Sequence, residues 1–239
     1  MDPAVCSLDY RLKIIGRLPF FRHLPSEVIV EINRLFEDRD VPAEQAIYFE
    51  GDPGEHLYLV AMGKVKLLRH TGAGRDVLLD ILRGGEYFGS LTILGGRGYT
   101  ETAMAQTDCC ILQISSSNFE KILNHYPDVS LKVLQAVGKR LEESQEIVKQ
   151  LSTYSADQRV AAALIRLAKK MGEQKDEGML IQLPFSRQDL AAMTGATVET
   201  VSRVMSRFSG DGLVTTGRKW VEIRDLEGLE RVAKEATVN

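Results

Sequence analysis

The stretch SRQDLAAMTGATVETVSRVMSRF, from Ser186 to Phe208, constrains this chain more than any other. It reads as two short helices joined by a glycine. Ser186 precedes a helical run with Asp189 three residues on, the spacing of a capping box. Leu190 and Met193 are the inward residues of that helix, Gly195 supplies the turn, and Thr197 caps the next helix. Beyond it Val201, Val204, Met205 and Phe208 recur at i, i+3, i+4 and i+7, which makes one apolar helix face. The other face carries Val198, Glu199, Ser202, Arg203 and Arg207. Two amphipathic helices joined by a glycine also occur in ordinary cores with a solvated outer face.

The next residues decide between these readings. Leu213 to Thr216 and Lys219 to Ile223, around Gly217 and Arg218, read as a two-stranded hairpin with a basic turn. A helical pair followed by such a hairpin has the order of a winged helix-turn-helix. That motif places the N-terminal half of its second helix in the major groove. There Arg pairs with guanine O6 and N7, and Glu accepts from cytosine N4. Arg218 and Lys219 are placed for phosphates. The candidate DNA-binding residues are Ser186, Arg187, Thr197, Val198, Glu199, Thr200, Ser202, Arg203, Arg207, Arg218 and Lys219. Net charge over the chain is −3, yet Arg187, Arg203, Arg207, Arg218 and Lys219 outnumber Asp189, Glu199 and Asp211 in this stretch. The local balance is positive where a duplex would lie.

At 239 residues the chain is comfortable for two domains, each with its own core. Leu8 to Phe36 reads as helical in two pieces, broken at Pro19 and reopened at Pro25-Ser26-Glu27. From Asp40 the texture changes to short β-branched and aromatic runs: Ala46 to Phe49, Leu57 to Ala61, Val65 to Arg69, Val77 to Leu82 and Ala103 to Ile114. Turn signals at Gly51, Gly63, Gly72 and Gly84 separate them, so an antiparallel barrel or roll is expected. A long helix follows Pro127. Its residues Leu134, Val137, Leu141, Ser144, Val148 and Leu151 alternate by three and four between charged flanks, as in a coiled-coil seam. A two-fold dimer would suit a DNA reader, because one recognition helix covers only a half-site. Tyr154 to Asp157 breaks the long helix, and Gln158 to Met171 starts another. GEQKDEG then reads as a loop, Met179 to Leu183 as a strand, and Asp225 to Ala236 as a closing helix.

No basic-then-apolar leader and no membrane-length apolar run is present, so a cytoplasmic protein without membrane contact is expected. Cys6, Cys109 and Cys110 are too few for a disulfide framework or a four-thiolate metal site, and read as buried structural thiols. No metal site is expected. There is no Walker-type loop, zinc motif or nucleophile elbow, hence no catalytic residue and no enzyme.

The order of roll, long helix and winged helix resembles the Crp/Fnr transcription regulators over nearly the whole chain. The roll pattern stands in Gly51, Gly54, Tyr58, Gly63, Val65, Gly85, Phe88 and Gly89. The resemblance implies an α+β fold. Residues 1–126 would form a sensory, cyclic-nucleotide-binding-like β-roll, 127–154 the dimerisation helix, and 155–239 the winged helix-turn-helix DNA-binding domain. Homodimerisation, double-stranded DNA and RNA polymerase are the implied partners. Nucleotide-binding members carry F-G-E-L and then R-S or R-T, with Glu on the ribose and Arg on the cyclic phosphate. Here Phe88-Gly89-Ser90-Leu91 and Tyr99-Thr100 replace them, with Arg97 two residues before Tyr99. The family's Thr-Ser pair on the long helix aligns with Ser144-Gln145. The candidate effector pocket is thus Gly89, Ser90, Leu91, Arg97, Tyr99, Thr100, Ser144 and Gln145, and its ligand is expected not to be cAMP. The oxygen-sensing cysteine set and the carbon monoxide-sensing Cys and His are missing. His23, His56, His70 and His125 leave haem, and with it nitric oxide sensing, as an alternative beside a cAMP response. The recognition helix reads Val198-Glu199-Thr200-Val201-Ser202-Arg203, the V-E-T-x-S-R of the Fnr type rather than the R-E-T-x-x-R of the cAMP type. A palindromic operator with T-T-G-A-like half-sites follows from the resemblance.

Overall fold

The structure is a computed structural model that describes residues 7–72, 76–90, 95, 98–175, 178–182, 186–217 and 219–234. Cys6, Leu91, Arg97 and Arg218 lie outside these residues. The chain divides into two compact units, Met1–Glu142 and Glu143–Asn239. The long helix expected after Pro127 runs through the division as a single element of 27 residues, Pro127–Thr153.

The N-terminal unit begins with helices α1 (Leu8–Ile15) and α2 (Ser26–Asn33). Eight strands follow: β1 (Glu37–Val41), β2 (Ala46–Tyr48), β3 (His56–Met62), β4 (Lys64–His70), β5 (Asp76–Arg83), β6 (Tyr87–Gly89), β7 (Thr102–Ala105) and β8 (Cys109–Ser115). Helix α3 (Ser116–His125) then leads into the long helix α4. The strands form two antiparallel four-stranded sheets, in the orders β1-β8-β3-β6 and β2-β7-β4-β5. Alternation along β3 explains the layering, since successive side chains point to opposite faces. Leu57, Leu59 and Ala61 join α1, α2 and α3 in one core with Ile15, Phe20, Phe21, Phe119 and Val129. Tyr58 and Val60 turn the other way, into the roll interior with Val65, Leu67, Phe88 and Ile111. The sheet that holds β3 is therefore covered on both faces, and its central strands read as continuous apolar runs.

That double burial corrects one expectation. Ala103 to Ile114 is not one strand but two, placed in different sheets and separated by Gln106, Thr107 and Asp108. Those polar residues hold neighbouring turns: the N–H of Lys64 donates to Thr107 Oγ1 at 3.0 Å, and the N–H of Ala43 donates to Asp108 Oδ1 at 2.9 Å. Gly63 lies against the same corner with φ 90°, and a Cβ there would meet the Asp108 carbonyl at 2.5 Å. Helix α1 stops at Ile15 rather than running to Pro19, because the chain turns after Gly16 to bury Leu18, Phe20 and Phe21. The cysteine expectation holds at Cys109 and needs correction at Cys110. Cys109 is a free buried thiol donating to the carbonyls of Lys64 and Thr107, and burial pushes its pKa up. Cys110, facing the helices, is disulfide-bonded.

The C-terminal unit contains α5 (Ala156–Met171), β9 (Glu173–Lys175), β10 (Gly178–Gln182), α6 (Arg187–Thr194), α7 (Val198–Gly210), β11 (Val214–Gly217), β12 (Trp220–Ile223) and α8 (Leu226–Lys234). Ser155 and Gln158 form a capping box that starts α5 two residues earlier than its apolar period suggests. The buried face of α5, including Val160, Leu164 and Leu167, packs on α6, α7 and α8. The strands make one antiparallel sheet, β11-β12-β10-β9. Among the described residues no helix is long and apolar enough to cross a membrane.

Candidate nucleic-acid interface and the cavity of the N-terminal unit

Local chemistry sets α6 and α7. The Ser186 N–H donates to Asp189 Oδ2 at 2.8 Å, while Ser186 Oγ accepts from the Asp189 N–H at 3.1 Å. Helix α6 ends at Gly195, in the left-handed region at φ 61° and ψ 28°. The Thr200 N–H donates to Thr197 Oγ1 at 3.2 Å and opens α7. Arg159 of α5 fixes the end of α6 from below. Its Nε donates to the Thr194 carbonyl and its Nη1 to the Tyr154 carbonyl, each at 2.8 Å. No sequence signal marked Arg159 for this role. Gly195→Ala should cost about 1–2 kcal/mol, from left-handed backbone alone. A Cβ there would only touch Leu151 Cδ2 at 3.5 Å, so space is not the obstacle. Denaturant unfolding of the variant beside wild type checks this.

Val201, Val204, Met205 and Phe208 are buried, as their spacing requires. Val198, Glu199 and Arg203 are exposed on the other side of α7, with Thr200 and Ser202 half-buried between. Glu199 bonds its own backbone N–H and then Thr197, and these bonds hold its carboxyl below the usual carboxylate range. It is therefore an anionic acceptor at neutral pH. Arg203 has no hydrogen-bond or ion-pair partner among the described residues, so its five donors are open to solvent. Arg207 differs: it is ion-paired with Asp157 of α5. Arg187 is half-buried at the start of α6, and burial lowers its pKa from the ordinary value. The wing is the β11–β12 hairpin. Lys219 stands exposed in its turn at φ 66°, beside Arg218, which is not described. The arrangement presents one acceptor and one unpaired fork of donors a helical turn apart, on a rigid helix.

The N-terminal unit holds a cavity of about 530 Å³. Gly89 and Ser90 line it from the end of β6, and Phe20, Leu57, Tyr87, Gly95 and Phe119 form further walls. Helix α4 contributes Val133, Ala136, Val137, Arg140 and Leu141. Of the pocket residues expected from the sequence, Gly89 and Ser90 are therefore brought together. Tyr99 is not. Only 4% exposed, it stacks on Tyr48 with ring centroids 3.7 Å apart, inside the roll core. Its hydroxyl accepts from the His56 N–H at 3.1 Å and lies 3.3 Å from Tyr58 Oη. Thr100 is exposed and donates to Glu101 at 2.5 Å. Ser144 and Gln145 are exposed positions further along α4. None of His23, His56, His70 and His125 lines the cavity, and His70 is bonded to Asp76 instead. Among the described lining residues there is no His or Cys to ligate haem. Arg140 is the functional candidate that sequence reasoning missed, because on paper it is one flank charge among several.

Residues 38–126 match the family model of the cyclic nucleotide-binding domain, and residues 158–232 match that of the Crp-like helix-turn-helix domain. The chain is 32% identical over 215 residues to the cyclic AMP receptor protein of Thermus thermophilus, covering 90% of this chain and 96% of that one. It is 27% identical over 222 residues to the CRP-like cAMP-activated global transcriptional regulator of Mycobacterium tuberculosis, covering 93% and 99%. The solved structure of FixK2 from Bradyrhizobium japonicum shares the fold, with a TM-score of 0.75 at 24% identity over 84% of this chain and 99% of that one.

Proposed function

The chain belongs to the Crp/Fnr family of DNA-binding transcriptional regulators, and on that premise we propose a homodimer that reads a palindromic operator with T-T-G-A-like half-sites. Residues 1–126 are the sensory roll, 127–154 the dimerisation helix and 155–239 the DNA-binding domain. The protein works in the cytoplasm beside RNA polymerase and is not an enzyme. One observation carries the operator reading: the outward face of α7 joins an anionic Glu199 to an unpartnered Arg203. Arg203 donates to the guanine of the T-G-A core. Glu199 accepts from cytosine on the complementary strand, and Ser202 contacts the neighbouring thymine. Val198 stands where the cAMP type has Arg, so the outer guanine of T-G-T-G-A has no donor.

The roll is read as an effector domain whose ligand is not cAMP. Two of the relatives are named for cAMP, but here Ser90 takes the ribose-binding position and Tyr99 the phosphate-binding one. Tyr99 supports that reading because it is buried in the core with its hydroxyl already bonded. A phosphate there would lack a charge partner.

The test is selection from a random duplex pool at fixed salt, wild type beside Val198→Arg. Wild type should recover T-T-G-A half-sites with centres one DNA turn apart, about 10 bp. Val198→Arg should shift the pool toward T-G-T-G-A. Arg203→Ala should cost about 1–3 kcal/mol and relax choice at its G·C pair. T-G-T-G-A half-sites from the wild type would sink the assignment.

A further inference from the structure

The cavity of the N-terminal unit is poorly suited to a sugar or a nucleobase. Phe20, Leu57, Phe119, Val133, Val137 and Leu141 make half of its described lining residues. A ribose or a base buried against such a wall would leave hydroxyls and ring nitrogens without partners, which is costly. Its volume of about 530 Å³ nevertheless lies within the range of small-molecule sites. Arg140 is the only charged side chain among the described residues that line it. It is exposed, and it has no hydrogen-bond or ion-pair partner among the described residues. Among the described residues the lining is apolar with one free guanidinium, which favours an apolar body bearing one planar anion. A carboxylate matches that fork with two parallel hydrogen bonds.

Resting on the reading of this unit as an effector domain, we propose that the cavity binds a free monocarboxylate with an aromatic or short aliphatic body. The acid lies on Arg140, and the body lies between the rings of Phe20 and Phe119 and the α4 side chains. Ser90, at the end of β6, offers a hydroxyl at the same chamber.

The experiment uses the full chain and two acids, 4-phenylbutyrate and octanoate, each beside its neutral amide, with calorimetric titration and thermal melting as readouts. At least one acid should raise the melting temperature saturably, as any ligand of the native state must. Its amide should bind about tenfold more weakly, the loss expected for a charge-assisted pair. Arg140→Gln should bring the acid down to the amide and leave the amide unchanged. Arg140 is exposed, so the variant should retain its fold, which far-ultraviolet circular dichroism checks. Ala136→Trp, which sets an indole in the chamber, should remove both.

Binding by neither acid overturns the proposal. So does equal binding of acid and amide, or acid binding that survives Arg140→Gln or Ala136→Trp. Gel shifts on the same preparations keep the two readings apart. Operator binding without acid binding sinks only the ligand class, whereas absent operator binding sinks the regulator.

Discussion

Replacing Leu141 with Asp is expected to turn the proposed dimer into monomers and to lower operator affinity by about a hundredfold or more, the scale of lost bivalency. Among the described residues six of the twelve exposed large hydrophobics sit on α4: Leu131, Leu134, Val137, Leu141, Val148 and Leu151. Leu134 is 68% exposed and Leu141 58%, far more than side chains this apolar keep without a covering partner. Their spacing by three and four makes a narrow seam, and the neighbouring charges exclude a lipid or a broad core contact. An Asp at position 141 would face its own copy across a two-fold axis. Sedimentation velocity and a gel shift on the same samples read both consequences. A variant that stays dimeric, or a monomer with full operator affinity, removes the seam from the account.

Phe208→Ala is expected to destabilise the C-terminal unit by about 3–5 kcal/mol, the range for deleting a buried aromatic ring. Phe208 is 2% exposed and closes the stripe that seats α7 in its unit. Its carbonyl also accepts from the N–H of Leu213 at the entry to the wing. The melting transition of that unit should fall by at least about 10 °C. Specific DNA binding should be lost at temperatures where wild type retains it. Calorimetry of the full chain checks the shift; a change below about 1 kcal/mol would place Phe208 outside the core of the reading unit.

The recognition unit was legible from sequence because its signals are local. Ser186, Gly195 and Thr197 act within four residues of themselves, so side-chain type alone locates the ends of α6 and α7. The family resemblance was legible for the same reason, since it rests on short strings around turns and caps. Strands that depend on distant partners were less visible. Strand β1, with the polar sequence Glu37-Asp38-Arg39-Asp40 before Val41, forms because it pairs with β8, whose partner residues lie 68 to 76 positions further along the chain. Arg11 helps to hold it there, bonding Asn33, Phe36 and Asp38 together. Strand β9 is wholly exposed and reads as a loop until it pairs with β10. Helix α3 hid behind the stronger signal of the proline that opens α4. The cavity was least legible of all. Its wall collects side chains from the segment after α1, from β3, β6 and α3, and from α4, and no single stretch carries that pattern. Tyr99 shows the converse limit: the family resemblance assigns it a ligand-binding position, whereas packing turns it inward onto Tyr48.

Val137 and Leu141 are members of two surfaces at once. They line the cavity, and they belong to the bare stripe of α4. In the proposed dimer, a rotamer that accommodates the proposed guest is therefore also a change in what the second chain meets. Thermodynamic reciprocity then binds the two events: whatever factor occupancy imposes on self-association, self-association imposes on occupancy. For the proposed dimer and effector site, a factor different from one makes apparent effector affinity a function of the protein's dilution. A cell could retune the response by changing how much of the protein it makes, with no alteration to the effector or the operator. Titrations run at nanomolar and at micromolar protein would separate by that factor, and the gap between the two curves would measure the coupling directly.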